Sequence, residues 1–281
     1  MKTIVTISKL TFREAARRKI LWAALLLGIL DLIVYGLGFY FIHQDIQKSM
    51  GPNGISVMAI SEINNFMLMT GLYAVNFLTI AMAVLTSVDT IAGEISSGTM
   101  QTLVTKPLRR WEVLMGKWIG FALMMSLYLV LMAGGTMAVV YGITGYIAPH
   151  AFTGLALLWM NALLLLSVSF FGGSFLSTLA NGVLAFGLFG VAFIGGWIEQ
   201  FGALLGNQTA INIGIISSLI IPSEALWKRA SYIMTSPLVS SMGFSPFTSG
   251  SAPSPLMIWY ALIYILVILG LAIRIFSRRD L

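Results

Sequence analysis

Cysteine is missing from all 281 positions, so the chain can build no disulfide, thiolate metal site or cysteine nucleophile. Charge is scarce: 9% of residues are Asp, Glu, Lys or Arg, against roughly a quarter in soluble domains. Histidine occurs only at His43 and His150, both at the ends of apolar runs, which leaves no zinc pair of the HExxH kind and no axial ligands for haem. A phosphate-binding loop is lacking too. The run from Gly93 to Gly98-Thr99 has the glycine spacing without the lysine, and Gly116-Lys117 is followed by Trp118 instead of a hydroxyl residue. No catalytic residue, metal site or cofactor is therefore expected in this chain.

What is present is apolar. Hydrophobic residues fill 58% of the positions, and no polar stretch is long enough for a separate soluble domain of about 100 residues. A bilayer crossing needs about 20 apolar residues. Six segments meet that length, at 20–42, 66–91, 113–141, 155–179, 182–198 and 256–276. The third is long, and the fifth is short and glycine-rich. A seventh run, 211–221, covers only about half the hydrocarbon core at about 1.5 Å per residue, and Pro222 stops it before Glu224, Lys228 and Arg229. It reads as a re-entrant or interfacial helix in an external segment at 199–255. The expectation is an all-α, polytopic membrane protein with a single transmembrane domain over 1–281. Positive charges precede the first run, but no small-residue cleavage site follows a short core, so that run is expected to remain as an anchor.

The net charge of +6 is better explained by orientation in lipid than by nucleic-acid binding. Of the 16 Lys and Arg residues, all but Lys48, Lys228 and Arg229 fall on one side of a six-span arrangement. The positive-inside rule makes that side the cytoplasm and places both termini there. At 100° per residue Lys9, Arg13 and Arg17 stack on one helical face, with Ile4, Phe12 and Ala15 opposite. Residues 1–19 thus read as a basic amphipathic helix lying on the inner membrane surface.

Between the second and third spans, residues 92–117 are polar and too short for a domain. A short helix near 97–105 would stop before Pro107, and another would start near Arg110. Thr99 and Leu103 lie four apart on one face of the first; Gly98 permits close backbone approach and Pro107 fixes the exit angle. Glu94, Gly98-Thr99, Leu103, Pro107, Arg110, Leu114 and Gly116-Lys117 together resemble the signature of ABC-2 type permeases, the membrane-spanning subunits of ABC exporters. The basic start is similar to that family's elbow helix, and the six spans with a re-entrant piece before the last match its layout, a type V exporter-like fold. The resemblance implies several things. Two permeases pair, as a homodimer or with a related permease. Residues 92–117 act as a coupling segment on a separate ATP-binding subunit. ATP and magnesium sit on that partner, and the setting is a prokaryotic plasma membrane.

Asp31 lies near mid-depth of the first span, where a carboxylate costs about 2.5–3.5 kcal/mol to insert, and no Lys or Arg lies at comparable depth. It is a candidate for the translocation path, or a polar group hydrogen-bonded inside the bundle. Asp89, near the inner end of the second span, can reach the interface. The 16 methionines raise Cu(I), but most sit singly inside spans, where Met is ordinary filler. Gly116/Gly120, Gly172-Gly173-Ser174 and Gly187/Gly190 mark close helix contacts. An ABC exporter permease competes with a secondary transporter or channel that couples ions through Asp31, and with a membrane redox subunit. Clear internal repeats, usual in secondary transporters, are lacking. Nothing in the sequence names the cargo.

Overall fold

Backbone polar groups in lipid must be satisfied within the chain, which for apolar runs of this length means helices. A computed structural model describes residues 2–48, 57–96, 98, 109–235 and 253–279. Among these residues there are nine helices and no strand: α1 (Lys2–Arg17), α2 (Lys19–Lys48), α3 (Val57–Ser96), α4 (Arg110–Thr144), α5 (Ala151–Gly173), α6 (Thr178–Leu205), α7 (Gln208–Ile220), α8 (Ser223–Met234) and α9 (Leu256–Arg278). Six are long and apolar enough to cross a membrane: α2, α3 from Ile60, α4, α5, α6 and α9. The expected all-α fold with six spans is what the chain adopts. At about 1.5 Å per residue, the 40 residues of α3 and the 35 of α4 exceed the hydrocarbon core, so these helices tilt or project beyond it.

Several helices run beyond the apolar segments, and two boundaries are set by turns. The fourth span stops at Gly173 instead of running to 179. Ser174 turns its hydroxyl back to the Phe171 carbonyl at 2.6 Å, and the N–H groups of Phe175 and Leu176 both reach the Gly172 carbonyl. The Gly-Gly-Ser turn thus ends one helix, and α6 begins at Thr178. The fifth span is longer than expected, continuing from 198 to Leu205, where Gly206 at φ +66° takes the left-handed conformation that closes the helix.

The helix ends sort into two groups. Arg279 donates to the Ser174 carbonyl at 2.9 Å, and Arg110 donates to the Ser277 carbonyl at 3.3 Å. Thr178 donates to Asp89 at 2.9 Å. The ends of α3, α5 and α9 therefore meet the starts of α4 and α6. This end also carries α1, and with it most of the cations; it is called the basic end below. At the opposite end, Asn65 in α3 donates to Tyr146, just past α4, and to the Met234 carbonyl that ends α8, at 2.7 and 2.9 Å. Met234 also packs on Gly154 near the start of α5.

Helix α5 is the axis of the bundle, with 72% of its span window buried, while α2 is peripheral at 11%. Polar pairs lock α5 in place: Asn161 donates to Asn76 at 3.1 Å, Ser87 to Ser169 at 2.8 Å, and Trp118 to Ser167 at 3.1 Å. Without water competing, such interhelical bonds contribute on the order of 1 kcal/mol each. Met69, Met82, Met125 and Met132 fill the gaps between helices.

Helices α7 and α8 meet at a bend of 107°. Ile221 is extended, as a residue before proline prefers, and Pro222 breaks the ladder. Helix α7 runs back along α6, with Gly202 against Ala210, Gly214 against Glu199 and Gly195 against Ser217. Helix α8 then returns to Met234 at the end where α6 finished. The bent pair enters and leaves at the same end of the bundle.

Candidate functional site

The residues singled out between the second and third spans occupy the junction of α3 and α4. Helix α3 continues to Ser96, and Gly98 at φ +72° follows it, its N–H reaching the Ile95 carbonyl at 3.3 Å. Glycine is suited to this position because it stops the helix in the left-handed region at no steric cost. Thr99, Leu103 and Pro107 lie outside the described residues, as does the short helix expected near 97–105. Helix α4 starts at Arg110, where the sequence placed its start.

Glu94 and Lys117, 23 positions apart, form an ion pair between the last turns of α3 and the first turns of α4. The side chains are 16% and 7% exposed, so the pair is largely withdrawn from solvent. Arg110 binds α9 in turn through carbonyls of Ser277 and Arg279. Three of the expected coupling residues thus join α3, α4 and α9 around the segment 97–109. Asp89 folds over Gly93 and accepts from Thr178, which adds α6 to the assembly.

Helix α1 lies against the start of α4. A Cβ on Gly116 would meet Ile7 at 2.7 Å, and one on Gly120 would meet the Ser8 carbonyl and Thr11 at 2.9 Å. The buried stripe of α1 is Ile7, Ser8, Thr11 and Ala15, with Ile4 and Phe12 half-buried, while Lys9, Arg13 and Arg17 are exposed. Gly116, from the family-like motif, and Gly120, read as a close-contact position, therefore have a packing role as the bed on which the basic helix rests.

Asp31 opens into a groove of about 560 Å³ between α2, α3 and α6, beside Leu30, Val34, Tyr73, Phe77 and Phe193. No Lys or Arg lines it. One turn on, Tyr35 packs on Gly71 and donates to the Met67 carbonyl at 3.0 Å, fixing α2 to α3 just above the carboxyl group. Along α6, Phe189, Phe193, Trp197 and Phe201 recur every four residues, with neighbouring ring centroids 5.9–6.2 Å apart. Tyr73 joins this ladder at 6.3 Å from Phe193 and accepts a hydrogen bond from Trp197 at 3.2 Å.

One cluster escapes the sequence reading. Lys228 and Arg229 read only as charges of the external segment 199–255; Lys228 is 3% exposed and pairs with Glu199 of α6 at 2.8 Å. Arg229 donates to the Pro253 carbonyl at 3.2 Å. Glu224, 7% exposed, packs on Gly196 one turn before Lys228. The Lys228 ammonium group is thus paired with Glu199, with Glu224 buried one helical turn away. Gly196 leaves the space that Glu224 of α8 fills, while Gly195 and Gly214 bring α7 close against α6. Gly195-Gly196 three and four residues before Glu199 was the available signal.

These features define a multi-pass helical membrane protein with charged groups gathered where α3, α4 and α9 meet and an acidic groove between α2, α3 and α6. The family described as ABC-2 family transporter protein matches residues 5–281, and the chain belongs to it: it is a permease of an ABC transporter. That membership implies a membrane transport component working with an ATP-binding partner. A comparison with curated proteins finds no match.

Proposed function

We propose that this permease serves an ATP-driven exporter, coupled through residues 92–117 to a separate ATP-binding subunit that holds ATP and magnesium. The observation that carries the reading is the buried Glu94–Lys117 pair, which ties α3 to α4 on either side of 97–109. A push on that segment would reach two spans through the pair and a third, α9, through Arg110. The basic end is taken as cytoplasmic, with both termini there, in a prokaryotic plasma membrane. Helix α1 then acts as an elbow helix with Lys9, Arg13 and Arg17 toward the lipid headgroups, and the bent pair α7–α8 dips in from outside.

The permease works as a pair, alike or related, within membrane lipid. Leu27, Leu30, Val34 and Phe77 around Asp31 are each about half exposed. A carboxylate on such a face is costly against lipid, and a second permease over the groove would make it the wall of a translocation path.

The test is co-expression with the ATP-binding partner subunit. Leu103→Asp puts a charge into an apolar docking cleft. It is expected to leave insertion intact while abolishing ATPase co-purification or coupled hydrolysis, and Lys48→Asp, at the opposite end, to do neither. Normal ATPase binding and transport by Leu103→Asp would remove 97–109 from the coupling role.

A further inference from the structure

We propose that the groove at Asp31 receives cargo that is cationic and apolar, an organic cation carrying a bulky hydrocarbon or aromatic body. The proposal rests on the reading of this groove as translocation path and adds the class of molecule that fits it.

Three observations combine. First, Asp31 makes no hydrogen bond or ion pair among the described residues, and no cation lines the groove around it. Its neighbours in charge are Tyr35 and Tyr128, whose hydroxyls are turned away to the Met67 and Ala24 carbonyls. A carboxylate without a counter-charge in an apolar setting is paired most favourably by a cation the protein does not itself supply. Second, the remaining walls are aliphatic and aromatic: Leu30, Val34, Tyr73, Phe77 and Phe193. Small inorganic ions need a cage of oxygens, which these walls lack, whereas an organic cation brings its own apolar surface to them. Ring faces also attract cations. Third, the rings do not end at the groove. Phe193, Trp197 and Phe201 continue along α6 toward Glu199 at the opposite end of the bundle. There Glu199 pairs with Lys228. A cation leaving Asp31 in that direction stays beside aromatic rings. The volume, about 560 Å³, lies in the range of small-molecule sites.

Tetraphenylphosphonium and tetraphenylborate have the same shape and opposite charge, and they probe the proposal directly. Binding is measured on the full chain in nanodiscs by equilibrium dialysis, with empty nanodiscs subtracted. Saturable binding of the phosphonium is expected. Asp31→Asn should weaken it by about tenfold or more, Asp31→Glu should keep it within about threefold, and the borate should not saturate. Equal binding of both ions, no saturable phosphonium binding, or an unchanged Asp31→Asn overturns the cation assignment. A separate measurement checks the path reading. Because the chain has no native cysteine, Val34→Cys and Leu131→Cys each report one site; both positions are more than half exposed, the first in the groove and the second on α4. Thiols in lipid stay protonated and inert. A water-soluble maleimide should label Val34→Cys and spare Leu131→Cys. Equal inertness would sink the path itself; labelling without phosphonium selectivity would sink only the cargo class.

Discussion

Lys117 has 7% of its side chain exposed, and what makes an ammonium group tolerable there is the Glu94 carboxylate facing it from α3. Removing one partner of a buried pair leaves the other uncompensated and costs about 3–5 kcal/mol; replacing both by apolar groups of similar size is often neutral. Lys117→Met and Glu94→Leu are each expected to lower the thermal stability of the purified permease, and the double variant to recover most of the loss. Function should not follow stability. If the pair transmits motion between α3 and α4, the double variant is stable yet its ATPase no longer responds to the permease. A double variant with normal coupling would make the pair a fastener only. Lys228 and Glu199 obey the same physics at the other end.

Among the elements, α1 and α8 show which parts of the chain could be read in advance. The long spans were legible because a bilayer imposes a length on apolar runs that few other contexts do. The basic face of α1 was legible from its 100° repeat, and Lys9, Arg13 and Arg17 are indeed its exposed cations. Its support was only half legible: Gly116 and Gly120 stood out as small residues, but which helix would lie on them is set by the tertiary fold. Helix α8 was not legible. A sequence with Ser223, Glu224, Lys228 and Arg229 looks solvated, yet Ser223, Glu224 and Lys228 are buried, and Gly196 on α6 leaves the space that Glu224 fills. The Glu94–Lys117 pair was visible as two motif residues and not as a contact, since pattern does not report a distance across a turn. The packing of α1 yields its own prediction. A side chain at Gly120 would strike the Ser8 carbonyl, which is backbone and cannot swing aside, whereas Gly134 on the same helix faces open space. Gly120→Leu should therefore cost about 1–3 kcal/mol and lift α1 from α4. An Ile7→Cys reporter, 9% exposed in the parent, should then become reactive. Gly134→Leu should leave it protected; reactivity in both or in neither would mean that α1 is not held by this contact.

For the whole molecule, the contacts at helix ends constrain the path more tightly than hydropathy does. By length and composition the bent pair α7–α8 could count as a seventh crossing. The hydrogen bonds argue otherwise. Helix α9 finishes at the basic end, because Arg279 reaches Ser174 and Arg110 reaches Ser277. It must therefore begin at the opposite end, where Arg229 of α8 meets Pro253 just before it. Helix α6 begins at the basic end beside Asp89 and rises about 42 Å over its 28 residues, so α7 also starts at the opposite end. A pair whose two ends lie together has not crossed. Cysteine mapping in cells tests this, with Gln208→Cys at the start of α7, Tyr232→Cys on the exposed side of α8 and Glu14→Cys on α1, all at exposed positions. An impermeant maleimide applied from outside should label the first two and not the third; after the membrane is opened, Glu14→Cys should label as well. If Tyr232→Cys instead follows Glu14→Cys, the pair crosses, α9 runs the other way, and its contacts with Arg110 and Ser174 cannot form.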